Sequence, residues 1–421
     1  MSPSLPSRLD GGGRRTTTSS SVPVSARPPP PFTVAPDHPP TFTRLVAPGP
    51  APDFRSAARL VTVTWADPPP DHVVVRIAYA GVNGGCETFR VRGEAGTAFA
   101  RNAGATPADP IPLGAEGVGL VAALGPGITG LAVGDAVAVS SVNAFAEFVT
   151  APAARCARLP PGLGGPTPAA VALTLSGVTA AVALDTCGVG PGKAAPLSPA
   201  DAVLVTAAAG GTGHLAAQWA AAAGAAVFAT TGGRAKAAAL RALLAPWPRA
   251  RVIDYTVEDV AAVLAAECPS PGLTVAYEGV GGAMRGAAVG ALAPGGRLLA
   301  VGHISEYPNA APARAQPTPA TPSSLPSAHD TFWGGREVDL GAGRTLYGNV
   351  WGEAGALGVP RARRAVFAAF TRGTLRVLVD GATADGVVDT PYVGLGAAVD
   401  GVERLLSGES VGKVVLRVFE E

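Results

Sequence analysis

Runs of apolar residues in this chain change rhythm near residue 172. Before that point they are short and broken by turn residues. Val73–Tyr79 and Gly117–Ala122 read as strands, and 144–150 alternates apolar and polar positions as a half-buried strand does. Beyond it, nearly continuous apolar runs at 202–206, 226–230, 251–254, 273–277 and 297–301 are separated by helical spacing at 212–223, 234–244, 257–267 and 282–292. A strand buried on both faces has no polar side to show, so this alternation predicts a parallel sheet covered by helices on both faces. Residues 308–328, rich in Pro, Ala and Ser, interrupt the pattern and read as a mobile surface insertion. Helices at 361–371 and 396–407 and a strand over Lys413–Val418 close the chain. The expected organisation is a tail over 1–40, a β-rich domain over 41–172, an α/β domain over 173–352, and a return to the first domain over 353–421. No internal repeat is present.

Composition narrows the classes. The 421 residues are 48% hydrophobic and 15% charged, with a formal charge of +1, which offers no electrostatic handle for nucleic acid or a membrane surface. The apolar stretch 216–230 is interrupted by Gln218 and Gly224, so no membrane span is expected. Residues 1–40 carry Arg8, Arg14, Arg15 and Arg27 among many Ser, Thr and Pro, against only Asp10 and Asp37. That chemistry fits a transit peptide for a chloroplast or mitochondrion, or else a disordered tail on a cytoplasmic protein. Cys86, Cys156, Cys187 and Cys268 fall in no C-x-x-C pair, which suits buried free thiols and gives no zinc ribbon.

The segment with most chemistry is Val203-Leu-Val-Thr-Ala-Ala-Ala-Gly210-Gly-Thr-Gly213, a strand, a turn and the opening of a helix. Ala207, Gly210, Gly211, Thr212 and Gly213 would let backbone approach a pyrophosphate, while free N–H groups at the helix start face the anion. The next strand ends at Thr230 and Thr231 and is followed by Gly232, Gly233, Arg234 and Lys236, with no carboxylate where an unphosphorylated ribose would want one. Small residues, hydroxyls and a cation suit a 2′-phosphate, and Tyr255 after the third strand would add a phenolic donor. NADPH is the expected cofactor.

Ordered motifs extend this picture. Gly81-Val-Asn83, Leu113-Gly-Ala-Glu116-Gly-Val-Gly119, Ser176-Gly-Val-Thr179, Tyr277-Glu-Gly-Val-Gly-Gly282, Gly302-His303-Ile-Ser-Glu-Tyr307 and Gly412-Lys413 resemble the medium-chain dehydrogenase/reductase superfamily. Within it the chain is most similar to the quinone oxidoreductase branch and its prostaglandin reductases. The resemblance implies a GroES-like β-rich catalytic domain plus a Rossmann doubly wound parallel sheet, with the active site between them. It implies NADPH-dependent hydride transfer to the activated C=C of α,β-unsaturated ketones or aldehydes, or to quinones, and a homodimer. In zinc-dependent members the first cysteine ligand falls at Asn83 and a histidine ligand at Ala115, so no metal is expected here. The resemblance also points to Tyr307 as a group bonding the nicotinamide ribose, to Asn83 as a polar group orienting the acceptor carbonyl, and to Thr179, Gly302, His303 and Lys413 around the cofactor. Three positions depart from the family pattern: Cys86, Phe89 and Ser410. A catalytically idle NADP-binding protein with a structural or interaction role is the alternative, because folds outlive activities.

Overall fold

A computed structural model describes residues 38–93, 109–187, 196–310, 325, 337–348, 350–382 and 389–419, with the side chains of 186–187 and 350–357 left aside. The tail expected over 1–40 and the insertion expected over 308–328 lie largely outside these residues.

The α/β half is built on a seven-stranded sheet. Its spatial order is Ala250–Asp254, Ala226–Thr231, Ala202–Val205, Leu273–Glu278, Leu292–Ala300, Thr345–Tyr347 and Val338–Asp339. All neighbours are parallel except the last pair, which leaves one antiparallel edge. Along each strand the side chains alternate between two cores. Val203, Val205, Val227 and Ala229 enter the core shared with the helices Gly213–Ala222 and Arg234–Leu244. Ala202, Leu204, Ala226 and Phe228 enter the other, under the helices Val260–Glu267 and Gly282–Gly290. Both faces are therefore buried, which is why these strands read as unbroken apolar runs. The strand order reverses between Ala202–Val205 and Leu273–Glu278, and such a reversal opens a crevice at the strands' carboxyl ends.

The β-rich half centres on His72–Gly81, flanked by Gly117–Leu124 on one side and Val415–Arg417 on the other. Ala136–Val139 and Cys156–Arg158 extend the sheet, and Phe148–Pro152 pairs with His72–Gly81 as well. The alternating segment expected to be a strand over 144–150 becomes one only from Phe148, with Ala146 making an isolated bridge to Arg44. Thr41–Ala47, Arg59–Thr64 and Ile111–Pro112 form a small third sheet.

Between the halves runs a helical stretch from Pro168 to Cys187 in which α-turns alternate with π-turns at Leu173–Gly177 and Ala183–Cys187. Among the described residues its Pro168–Asp185 portion alone is apolar and long enough to cross a membrane, yet 78% of that window is buried inside the protein. It packs against the helix Val350–Thr371, and Gly177 admits Val366 where a Cβ would collide with it.

The C-terminal segment is fastened to the glycine turn. Gly412 N–H donates to Ala209 O at 2.7 Å, and Gly210 and Gly412 form a parallel bridge. His214, with no exposed surface, sets its Nδ1 against Gly210 O at 2.7 Å and receives Leu378 N–H on Nε2 at 3.1 Å. One nitrogen must donate and the other accept, so the ring is neutral in this arrangement. Burial first, with Lys413 nearby adding to it, pushes its pKa from 6.5 down to about 4. As pH falls, the unfolded chain takes up this proton before the folded one does. Linkage then gives about 3 kcal/mol of stability that is complete above the free imidazole pKa and is lost as pH falls through the folded value. Thermal melts from pH 7 to pH 4 should show a steep acid decline in Tm, and His214→Gln should flatten it. An unchanged slope in the variant would remove His214 as its source.

Candidate active site

The crevice holds a cavity of about 840 Å³, within the range of small-molecule sites. At one end the strand Ala202–Val205 runs into the turn 206–212. Ala207 takes a left-handed φ of 46°, a conformation that glycine adopts without strain, and its carbonyl turns under the start of the next helix. Gly213 opens that helix, and a Cβ there would collide with Ala207 O. Among the described residues, the N–H groups of Thr212 and Gly213 have no backbone acceptor, so the helix start presents free donors to the cavity. Thr212 Oγ1 donates to Ser176 O at 3.0 Å and pairs with the buried Tyr277 hydroxyl at 2.7 Å. Glu278, also buried, shapes the adjoining turn by accepting Val280 N–H at 2.7 Å and Gly281 N–H at 3.0 Å. Burial raises its pKa, and those two N–H bonds oppose the rise.

Thr231, Gly232, Lys236 and Tyr255 line the cavity at the end of the second strand. Tyr255 sets its ring and hydroxyl where a side chain on residue 232 would stand, which explains the glycine. Lys236 Nζ reaches Gly408 O across the crevice. One carboxylate does lie beside this strand, because Asp254 pairs in register with Thr231. It is buried and taken up by Gly233 N–H at 2.8 Å and Thr256 Oγ1 at 2.6 Å, and it is absent from the cavity wall.

The expected site residues Ala207, Gly210, Gly211, Thr212, Gly213, Thr179, Thr231, Lys236, Tyr255, Gly302, Tyr307, Asn83 and Lys413 all reach the wall. Thr230 and His303 do not. Strand alternation turns Thr230 into the core, where its hydroxyl faces Met284 Sδ at 3.9 Å. His303 stacks on Phe89, centroids 5.3 Å apart, and meets the edge of Tyr307 at 4.8 Å. These two therefore shape the wall from behind. Thr179 bends its hydroxyl back to Leu175 O at 2.7 Å.

At the middle of the crevice the structure corrects two assignments. Lys413 is 2% exposed, and its ammonium meets Asn83 Oδ1 at 2.7 Å, Glu116 Oε1 at 2.7 Å and Ser176 Oγ at 3.3 Å. Three donors serve three acceptors, so none remains for a cofactor. Asn83 in turn gives its amide hydrogens to Glu116 Oε1 at 2.9 Å and Gly81 O at 3.2 Å, which leaves none for an acceptor carbonyl. Glu116 Oε2 accepts Leu175 N–H at 2.8 Å, from within the π-turn. Gly81 is required because a Cβ would strike the Glu116 carboxylate. Glu116 and Ser176 are functional residues that motif reading quoted but did not assign. Glu116 could have been flagged as a carboxylate in an apolar run, whereas its partner stands 297 residues away.

Tyr307 is 9% exposed, with its hydroxyl over Gly85 and its ring edge-on to Phe89 at 5.0 Å. Burial raises its pKa, so the phenol keeps its proton. Cys86 lines the same wall, and burial raises its pKa too, which keeps it a thiol. Phe89 packs behind the wall, and Ser410 lies on it. Ala115 offers a methyl group, and among the described residues no cluster of three His, Cys, Asp or Glu side chains could hold a metal.

Removing one partner of a buried ion pair strands the other charge at a cost of about 3–5 kcal/mol. Lys413→Met should therefore lower Tm sharply, and adding Glu116→Gln should recover a large part of the loss. Chemical denaturation of both single variants and the double variant measures the coupling. Purely additive losses would show that the two buried charges do not depend on each other.

Comparisons agree with this layout. A model of the alcohol dehydrogenase GroES-like domain matches residues 69–161, and one described as zinc-binding dehydrogenase matches 211–321. Prostaglandin reductase-3 of Bos taurus is 42% identical over 199 residues, which cover 47% of this chain and 48% of that protein. The chain thus spans about half the length of that relative in the match. A probable quinone oxidoreductase of Leishmania amazonensis is 29% identical over 382 residues, covering 90% of this chain and 99% of that protein. The crystal structure of Escherichia coli quinone oxidoreductase complexed with NADPH shares the fold, with a TM-score of 0.67 at 23% identity over 89% of this chain and 99% of that one. The protein belongs to the medium-chain dehydrogenase/reductase superfamily of oxidoreductases, in its quinone oxidoreductase branch.

Proposed function

We propose that this protein is an NADPH-dependent, zinc-independent reductase of α,β-unsaturated ketones and aldehydes or of quinones. The carrying observation is the crevice itself: unused N–H donors at the start of a helix lie in one cavity with Thr231, Lys236 and Tyr255. These groups fit the cofactor. The helix start would hold the pyrophosphate, and Lys236, Thr231 and Tyr255 would hold a 2′-phosphate. Asp254, committed to Gly233 and Thr256, gives little reason to prefer the unphosphorylated form. The NADPH complex of the Escherichia coli neighbour supports the same choice.

When bound, NADPH would supply a hydride. In reduction of an enone the β-carbon gains that hydride, the alkene electrons move to the carbonyl oxygen, and a solvent proton ends on the α-carbon. The chain's own task is to stabilise the negative oxygen and keep the acceptor in place. Tyr307, protonated and held by its aromatic neighbours, is the donor group of this wall, acting through the ribose hydroxyl. Ala115 and the fully engaged Asn83 make a poor donor set for zinc. The reaction would therefore rely on hydrogen bonding to polarise the carbonyl. A homodimer is the proposed assembly.

Purified protein given NADPH and a panel of enones and quinones should oxidise the cofactor. Tight NADPH binding without turnover across the panel would favour the idle alternative. Lys236→Ala should weaken NADPH binding roughly tenfold while barely changing NADH binding. Equal losses would take Lys236 out of phosphate recognition. Tyr307→Phe should lower kcat at least about tenfold with NADPH affinity nearly kept. Unchanged turnover would end its assigned role.

A further inference from the structure

A second cavity, of about 170 Å³, shares no lining residue with the crevice. It lies where the small third sheet meets the β-rich one. Phe42 pairs in register with Val63 and Arg44 with Val61, so strand alternation sends Phe42, Arg44 and Val63 to one face of the small sheet. Val74 and Thr150, themselves in register, and Phe148 complete the wall from the β-rich sheet. Trp65, next after the strand Arg59–Thr64, stands edge-on to Phe148 at 5.3 Å and to Phe42 at 6.5 Å.

Beside these rings the cavity carries donors without acceptors. Arg44 is half-buried, and its Nε is enclosed with nothing to bond. Among the described residues no hydrogen bond or ion pair uses its guanidinium. The Trp65 indole N–H is enclosed and unpartnered as well. Asn143 engages only its Oδ1, with the Ser141 hydroxyl at 2.5 Å, so its amide N–H groups stay free. No described aspartate or glutamate lines this cavity. Glu147, the nearest acid along the chain to Phe148, takes Thr43 N–H at 2.6 Å and acts on Arg76 instead. Ser140 lines the crevice and Asn143 this cavity, so the loop 140–147 is the partition between the two sites.

A half-buried donor with no acceptor is costly, and a ligand oxyanion removes the cost. A guanidinium beside a carboxamide N–H matches the two oxygens of a carboxylate in shape as well as charge. The rings and valines leave the rest of the space apolar, and a cavity of roughly 150 Å³ holds a benzene ring. We propose that this second cavity is an accessory site for a small aromatic carboxylate. Its carboxyl group meets Arg44 and Asn143, and its ring packs among Phe42, Trp65 and Phe148. The site stands apart from the cofactor and from the reductase reading.

Benzoate is the probe. Calorimetric titration of the full chain should show it binding at least about tenfold tighter than benzyl alcohol, which keeps the ring and loses the charge. Arg44→Met should erase that preference, and Arg44→Lys and Asn143→Leu should each lose part of it. Arg363→Met, a change on the crevice wall, should leave benzoate affinity within about twofold. Equal affinity for acid and alcohol overturns the site, and so does a preference that survives intact in Arg44→Met. Should Arg44→Met fail to fold, a preference undiminished in both Arg44→Lys and Asn143→Leu has the same force. Loss of binding in Arg363→Met would put benzoate in the crevice and overturn the placement. Tighter binding of inorganic phosphate than of benzoate overturns the aromatic carboxylate as the ligand class. Benzoate should also change the tryptophan fluorescence of the protein, and a change that persists in Trp65→Phe counts against the placement.

Discussion

A single buried ion pair anchors the polar network along which the two halves of this molecule meet. Lys413 follows directly on the segment bridged to the glycine turn, and Glu116 directly precedes the strand Gly117–Leu124 of the β-rich sheet. Neither charge reaches solvent, so each depends on the other and on the polar groups around them. Asn83 Nδ2 and Leu175 N–H donate to the Glu116 oxygens, and Ser176 Oγ, from the helical stretch between the halves, accepts from Lys413. A network in which every member is satisfied fixes geometry, because a shift of any member leaves a buried polar group without its partner. The crevice inherits its shape from that requirement.

The π-turn at Leu173–Gly177 belongs to the same constraint. Widening the helix by one residue releases an N–H that a regular α-turn would consume, and Leu175 spends it on Glu116. The same turn brings Ser176 O to Thr212 and Ser176 Oγ to Lys413. Polar contacts thus run from Tyr277 on a strand of the parallel sheet, through Thr212 and Ser176, to Lys413 and Glu116 in the β-rich half. The glycine turn and the wall around Asn83 are thus joined by one chain of polar contacts.

Much of the architecture was legible because it is local. The five long strands of the parallel sheet and the helices between them announce themselves by period, and their bounds shift by a few residues at most. The exception is Leu292–Ala300, whose first half, including Pro294, Gly295 and Gly296, has no apolar run to mark it. The short strands Val338–Asp339 and Thr345–Tyr347 carry too few residues for any period, so they were missed. The helix Gly84–Val91 escaped for a different reason: it is a single short element with two glycines at its start. Site residues followed the same divide. Turn residues whose role is backbone geometry could be placed from spacing. Asn83 and Lys413 were placed correctly on the wall but given free polar groups, because their partners at 116 and 176 are remote in sequence.

Charge distribution adds something that motifs do not contain. The crevice wall has several cations and no described carboxylate, so their counter-charges stand behind it or come from outside the protein. Where the protein supplies the counter-charge, as Glu116 does for Lys413 and Glu87 beside Arg90, the cation is structural. Where no described carboxylate stands against the cation, as at Arg155 and Arg363, the guanidinium is left to face the crevice. Lys236 is the intermediate case, since it rests on a carbonyl, a partner that a phosphate can displace without leaving a charge stranded. Sorting the cations this way separates those that hold the protein together from those left to face the crevice.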